Sequence, residues 1–343
     1  MDHTMINPCK NIAVLAIAVF SCTTPNNTDV IDTEPMEIVA IPIPQFTLTK
    51  DQTHNKFSRS IPPVLTVESG AVIEAFTEDA SDEQFQLHSD ANAMDSLDFE
   101  PIHPLTGPVY VQGAKPGDIL KVTLHKIELG DWGWNAIYPG FSFLADTVKS
   151  KYLRTYELGP GKTHVQFNEK IKIPLKPFPG VMGVAPDTDE MLSTIPPRAN
   201  GGNMDDPNIT EGSIVYFPVF VEGALFSIGD AHAVQGHGEV CGTAIEAPMR
   251  FIYQLDIIRE GRISEPQYET ATHYATTGFG ITIDEAARKA TLYMIEYLQN
   301  HHDLLLEEAY ALCSLAGDLK IAEVVDMPHM LVTMHMSKEV LGM

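Results

Sequence analysis

The chain has 343 residues, 44% of them hydrophobic, which is enough for a sizeable core in one large domain or two smaller ones. It carries 46 acidic against 22 basic residues, so its formal net charge at pH 7 is -24. A field of this sign repels phosphate backbones and anionic lipid, which argues against nucleic acid as a partner and against electrostatic adsorption to a membrane.

The N-terminal residues have the pattern of an export signal. Lys10 precedes an uncharged apolar run over residues 12–20, which is too short to span a bilayer but fits the core of a signal peptide. The run leads into Cys22 through a sequence that resembles a lipobox, although Phe20 is bulkier than is usual there. The alternative is an ordinary cleaved signal peptide in which Cys22 is incidental.

We therefore expect a bacterial cell-envelope protein that touches the membrane only through a lipid on Cys22. The tether that follows is polar, turn-forming and without a periodic apolar face. The expected segments are a lipoprotein signal peptide over 1–21, a tether over 22–37 and a folded domain over 38–343.

Short strands between turn clusters dominate the predicted domain. Residues 129–206 are rich in glycine, proline and aromatic residues, which predicts long ordered loops that shape a pocket. The predicted strands are 61–67, 71–76, 107–111, 119–127, 171–175, 213–221, 224–228 and 250–258.

Helical spacing of apolar residues occurs only near the C-terminus. Thr282 or Asp284 can cap a helix that runs to Gln299, and a second helix is predicted over residues 304–315. The predicted fold is therefore mainly β (α+β), with a β-sandwich core and a C-terminal helical element.

The most informative polar residues lie between residues 229 and 242. Asp230 and His232 are two positions apart, so their side chains point to one face of an extended segment. A carboxylate and an imidazole that converge in this way are natural ligands for Zn²⁺ or a similar ion, and hydrogen-bonded loop residues are the alternative. Glu239 follows the turn and has the chemistry of a general base.

Other polar positions allow two interpretations each. Asn203 and Asp205 follow a turn-forming Gly-Gly segment, so they either coordinate an amide or a metal or only belong to a tight turn. Asp90 belongs to a long acidic stretch that a solvated surface would explain equally well. Cys241 is a potential nucleophile, but its position at a strand entry favours a small buried side chain.

These motifs, in this order, resemble the acetamidase/formamidase family. The resemblance is strongest over residues 229–236 and 238–246, and it extends from about Ile61 to Val325. The other matching segments are 89–90, 106–111, 114–118, 196–205 and 315–319, the last of which looks like part of the family's closing helix.

The resemblance implies a metal-assisted hydrolase that converts a small carboxamide into a carboxylate and ammonia, and that forms a homodimer. It implies a divalent metal, for which we favour zinc, with calcium or manganese as alternatives. The implied metal ligands are Asp90, Asp230, His232 and Asn203. The implied catalytic residues are Glu239 and His232. The implied substrate-binding residues are Gly202, Asn203, Gln235, Gly236 and Glu246.

We expect Glu239 to move the proton of the attacking water, and backbone N–H groups of the glycine-rich loop to stabilise the oxyanion. One position departs from the family pattern, because His237 stands where an acidic residue is usual. This departure leaves two alternatives open. One is a surface-anchored small-ligand binding protein that has lost catalysis, and the other is a hydrolase of a different C–N bond, such as that of a cyclic amide.

Overall fold

Two β-sheets make up most of the computed structural model, which describes residues 40–343. The predicted signal peptide and the predicted tether, including Cys22, lie outside the described residues. The strands are β1 (Phe46–Leu48), β2 (Thr53–His54), β3 (Lys56–Phe57), β4 (Leu65–Val67), β5 (Ala71–Thr77), β6 (Leu105–Val111), β7 (Ile119–Leu129), β8 (Trp132–Ile137), β9 (Tyr152–Glu157), β10 (His164–Gln166), β11 (Lys172–Pro174), β12 (Phe178–Gly183), β13 (Leu192–Ser193), β14 (Gly201–Asn203), β15 (Ile214–Pro218), β16 (Phe226–His232), β17 (Met249–Ile258), β18 (Gln267–Glu269), β19 (His273–Gly280), β20 (Gly317–Glu323) and β21 (Met330–Ser337).

The larger sheet has nine strands in the order β1-β5-β17-β7-β15-β18-β19-β21-β20. The second sheet has the order β14-β12-β16-β6-β2, and β4 pairs in parallel with β6. Two-stranded pairs form from β10 with β11, β13 with β3, and β8 with β9.

The two sheets share one hydrophobic core. In β7, Leu120, Val122 and Leu124 are completely buried, as expected for one face of a strand with a period of two. The ring of Phe226 in β16 lies 5.4 Å from that of Tyr253 in β17, measured between centroids, and thereby links the two sheets. Fully burying a large apolar side chain contributes about 1.5–3 kcal/mol, so contacts of this kind hold the sheets together. The predicted mainly β class with a sandwich core is confirmed.

The two helices lie in the C-terminal part of the chain and pack against the larger sheet. Helix α1 spans Ile283–His302, and the side chain of its N-cap Thr282 accepts a hydrogen bond from the backbone N–H of Glu285. Helix α2 spans Leu306–Ala316. Helix α1 packs closely on β19, and this packing requires glycine at position 278. A Cβ on Gly278 would come within 2.2 Å of a helix carbonyl oxygen.

Two stretches differ from the prediction. Residues 129–206 contain seven short strands, β8 to β14, where only one was predicted, and the loops that join them make up most of this stretch. Residues 317–319 begin strand β20 rather than extending the last helix, because this segment pairs antiparallel with β21. Among the described helices, none is both long enough and apolar enough to cross a membrane.

Candidate active site

A cavity of about 190 Å³ lies where β14, β16 and the loops that follow β16 and β20 meet. Strand β14 ends at Asn203, and strand β16 contributes Asp230 and His232. The loop after β16 contributes Glu239 and Glu246. Further polar side chains at the cavity are those of His103, Asp205 and Asp326.

The imidazole of His232 is at the centre of this cluster and is 1% exposed. Its Nε2 lies 3.0 Å from Oε2 of Glu246 and 3.7 Å from Oδ1 of Asp230. Its Nδ1 lies 3.6 Å from Oδ1 of Asp205. His232 therefore faces carboxylates on both sides of its ring.

Gln235 fixes which nitrogen of His232 carries the hydrogen. The side-chain NH₂ of Gln235 donates to the backbone carbonyls of Asp205 (2.7 Å) and Ala322 (3.3 Å), so its oxygen has to face the imidazole. That oxygen lies 2.9 Å from Nδ1 of His232, which therefore donates the hydrogen bond. The lone pair of a neutral His232 is then on Nε2, toward Asp230 and Glu246.

Three carboxylates of the cluster sit on backbone that L-residues rarely adopt. The φ angles are 43° at Asp205, 45° at Asp230 and 45° at Glu239. Each such residue costs about 1–3 kcal/mol of strain, and it persists only where the surrounding structure enforces it. The strain therefore indicates that the fold holds these three carboxylates in position at a cost in local backbone stability.

Burial and neighbouring charges shift the pKa values of the cluster in opposite directions. Burial would raise the pKa of Asp230, but the positive charges of His103 and His232 outweigh it and hold that pKa at about 2. Burial raises the pKa of Glu246 to about 8 and that of Glu239 well above its usual range. Burial lowers the pKa of His232, yet the carboxylates of Glu246 and Asp230 raise it well above normal.

The cluster fits a divalent cation. Buried oxygens of Asn203, Asp205, Asp230 and Glu246 have no hydrogen-bond donor, since the 3.0 Å approach of His232 to Glu246 is not aligned as a hydrogen bond. Unpaired buried oxygens are costly, and a cation is one way to satisfy them. Two overlapping groups, Asp205-His232-Glu239 and Asp230-His232-Glu246, each offer three ligand atoms within 4.8 Å of one another.

The excess of buried acid predicts how the stability of the metal-free protein depends on pH. Burial raises the pKa of Glu323, which lies beside the cluster, from 4.5 to about 8. The folded protein then keeps a proton that the unfolded chain releases, so the free energy of unfolding falls as pH rises from about 4.5 to 8.

One pKa unit is worth about 1.4 kcal/mol, and each 1 kcal/mol shifts Tm by about 2–4 °C for domains of 150–250 residues. We expect the Tm of metal-free protein, measured by circular dichroism, to fall by at least about 2 °C between pH 5 and 8. Glu323→Gln should flatten this dependence, because its amide oxygen can still accept from the N–H groups of Val325 and Asp326. A Tm that rises across this range, or the same slope in the variant, would contradict the assignment.

Comparison with known proteins identifies the family. The model of the Acetamidase/Formamidase family matches residues 44–193 and 188–343, which together cover most of the chain. The chain belongs to the acetamidase/formamidase family. This confirms the family prediction and the prediction that the chain is an amidase.

Three relatives illustrate the range of this family and fold. An acetamidase of Mycolicibacterium smegmatis is 28% identical over 334 residues, covering 72% of this chain and 81% of the relative. The crystal structure of a predicted acetamidase/formamidase from Thermoanaerobacter tengcongensis is 35% identical with a TM-score of 0.82, covering 87% of this chain and 97% of that one. A γ-lactamase from Delftia acidovorans is 25% identical with a TM-score of 0.63, covering 86% and 93%.

The amidase cavity includes some of the residues expected from the sequence and not others. Asn203, Asp230, His232, Glu239 and Glu246 all line it. Asp90 is exposed and accepts a hydrogen bond from the backbone N–H of Asn92, and it is not among the lining residues. Gly202, Gln235 and Gly236 are also not among the lining residues.

Several cavity residues carry no signal in the sequence. Nothing in the spacing of His103, Tyr138 or Asp326 connects them with the segment around Asp230, because distant parts of the chain bring them there. Asp205 has a weak signal in its Gly-Gly turn, which also explains it without a ligand. These residues can therefore be assigned to the site only from the folded structure.

The two unusual residues of the glycine-rich loop lie outside this cavity. His237 is exposed and lines a separate cavity on the other side of the loop, with its Nε2 3.5 Å from Nδ2 of Asn208. The thiol of Cys241 is half-buried against the carbonyl of Thr243 and also faces that second cavity. The His237 departure therefore does not alter the wall of the main cavity.

Proposed function

We propose that this amidase hydrolyses a small linear carboxamide to a carboxylate and ammonia, with a divalent ion held by the cluster around His232. The observation that carries the proposal is the convergence of His232, Asp230 and Glu246, with unpaired buried oxygens, on one cavity. The family membership supplies the reaction class.

We assign the ion to Asp230, Glu246 and Nε2 of His232. Gln235 occupies Nδ1 of the same ring, which leaves Nε2 as the nitrogen with a free lone pair. When bound, such an ion supplies a Lewis acid that polarises the amide carbonyl. One imidazole and two carboxylates suit zinc, and the abundance of carboxylates also suits manganese or calcium.

Glu239 is the group that moves the proton. Its carboxyl group lines the cavity next to the cluster, and its pKa is raised by burial and by Asp205, which makes its carboxylate a stronger base. The water oxygen bonds to the amide carbon as Glu239 accepts one of the water's protons, and Glu239 passes that proton to the amide nitrogen. The C–N bond then breaks, ammonia leaves, and the carboxylic acid that remains loses its hydroxyl proton to the solvent and becomes a carboxylate.

The glycine-rich loop has fewer N–H groups for an oxyanion than expected. The N–H groups of Gly238, Glu239 and Gly242 already donate to the backbone carbonyls of other residues, as the tight turns of this loop require. The hydroxyl of Tyr138, by contrast, is buried at the cavity without a hydrogen-bond partner. Burial and the nearby Glu246 raise its pKa, so it keeps its proton and remains a donor.

We expect Tyr138→Phe to lower kcat by about 10²–10³, the usual cost of removing one donor to an oxyanion, with little change in KM. Steady-state ammonia release measures both constants. Tyr310→Phe is the matched control, because Tyr310 is 62% exposed on α2. Equal kcat in the two variants would exclude the Tyr138 hydroxyl from the reaction.

Ammonia release by the full-length chain tests the proposed function. The protein is stripped of metal, resupplied with Zn²⁺, Mn²⁺ or Ca²⁺, and given formamide, acetamide, phenylacetamide and a γ-lactam. Metal-dependent release from a linear amide supports the proposal, and release from the lactam alone shifts it to a cyclic C–N bond. If folded, metal-loaded protein releases no ammonia from any of them, the proposal fails and a binding protein without catalysis becomes the better explanation.

Location and assembly remain proposals based on the sequence. We propose a lipid on Cys22 and a place in the bacterial cell envelope, because the apolar run and the lipobox-like pattern precede that cysteine. Partition of the wild-type chain, but not of Cys22→Ser, into a detergent phase would support this. A homodimer is likewise proposed, and light scattering of the purified chain tests it.

A further inference from the structure

Apart from the cluster around His232, the lining of the amidase cavity is mainly apolar. The carboxylates and His232 form the polar side, where the amide group has to react. The other lining side chains include six large apolar ones, which we call the apolar side: Leu97, Phe99, Ile102, Trp134, Phe141 and Ile195. A substrate with its amide at the polar side therefore directs its acyl group toward these rings and branched chains.

The size of the cavity shows how large that acyl group can be. The cavity has about 190 Å³, and an engineered apolar cavity of about 150 Å³ in another protein accommodates benzene. Acetamide or formamide would leave most of this volume unfilled. Unfilled apolar space forfeits contacts and holds water poorly.

The aromatic side of the cavity is held in place by the fold. Trp134 is 3% exposed, its indole N–H donates to Asp79 over 2.7 Å, and its ring meets that of Phe85 edge-on at 4.8 Å. The ring of Phe141 packs so closely on Gly242 that a Cβ there would come within 2.7 Å of it. The apolar space is therefore preformed and does not depend on collapse of these side chains.

We infer that the preferred substrate is a primary amide with an apolar acyl group of about the size of a phenyl or short branched-alkyl group. This inference rests on the proposed function and specifies its substrate class. Phe141 and Ile195 are specificity-determining residues in this assignment, because both line the apolar side. Phe99, which is 58% exposed and stacks edge-on with Tyr138 at 5.6 Å, borders the opening.

The test compares kcat/KM for phenylacetamide and acetamide, using the full-length, metal-loaded chain. A single methylene in an apolar pocket changes kcat/KM by about 10–200-fold, so we expect a preference of at least tenfold for phenylacetamide. Phe141→Ala should reduce this preference about tenfold by removing one face of the pocket. Phe143→Ala is the matched control, since Phe143 is 55% exposed and does not line the cavity.

A second variant keeps the test valid if Phe141→Ala does not fold. Ile195→Phe fills the apolar side, so it should lower kcat/KM for phenylacetamide at least tenfold and spare acetamide. Equal or better turnover of acetamide by the wild-type chain would overturn the substrate class while leaving the amidase proposal intact. Absence of turnover with these two amides and with every other amide of the panel would instead overturn the proposed function, and the substrate class with it.

Discussion

Glu239→Gln is expected to abolish most of the amidase activity while leaving the fold intact. Loss of a positioned acid–base group costs about 10²–10⁴ in rate, and glutamine has nearly the same shape but cannot exchange a proton in this way. The change also removes one carboxyl from a buried acidic cluster in which Asp205 already raises the pKa of Glu239. We therefore expect the Tm of metal-free protein to stay the same or rise.

Ammonia release gives kcat and KM for this variant, and thermal melting gives its stability. The control is Glu190→Gln, because Glu190 is exposed and is not among the residues that line the cavity. Turnover within threefold of wild type in Glu239→Gln would remove this residue from the mechanism. A large fall in Tm would instead assign it a structural role.

Part of this site could be predicted from local spacing alone. The two-residue separation of Asp230 and His232 places both on one face of a strand, and the structure has both on β16, with both lining the cavity. The helix begins at its predicted cap, Thr282, because a side-chain oxygen at that position satisfies a free N–H of the first turn. Such features depend on neighbours in sequence, so the sequence contains them.

The rest of the site depends on contacts between distant segments. Asp90 and Asp205 both occur in segments that match the family, but only Asp205 lies at the cavity. Asp205 reaches it because its backbone N–H bonds to the carbonyl of Gly180 in β12, and β12 pairs with β16. No periodicity within residues 196–205 contains that information, and composition alone explains the same residues as a turn.

Gln235 shows that a match to a family motif does not by itself establish the role of each matched residue. Its position within the matching segment suggested contact with substrate, whereas its side chain spans His232 and two backbone carbonyls. An amide is suited to this, because it accepts from the imidazole while it donates to the chain behind it. Its role is therefore to orient the ring, and sequence reasoning could not separate the two roles because both require the same residue at the same place.

Asp230→Asn is expected to abolish tight binding of the proposed metal and, with it, turnover. Asp230 holds its negative charge more firmly than the other cluster carboxyls, since its pKa is about 2 while that of Glu246 is about 8. Replacing it removes the charged ligand and leaves the size of the side chain unchanged. Because partners beyond the direct ligands already change metal affinity by about 10–100-fold, a ligand should change it at least a hundredfold.

Asp90→Asn is the matched control, because it makes the same chemical change at an exposed residue outside the cavity. Elemental analysis after dialysis, and competition with a coloured chelator, measure metal content and affinity in both variants. We expect the control to retain the metal content and kcat of the wild-type chain. Loss of metal in Asp90→Asn with retention in Asp230→Asn would move the metal to the acidic surface segment, and retention in both would contradict a metal held by Asp230.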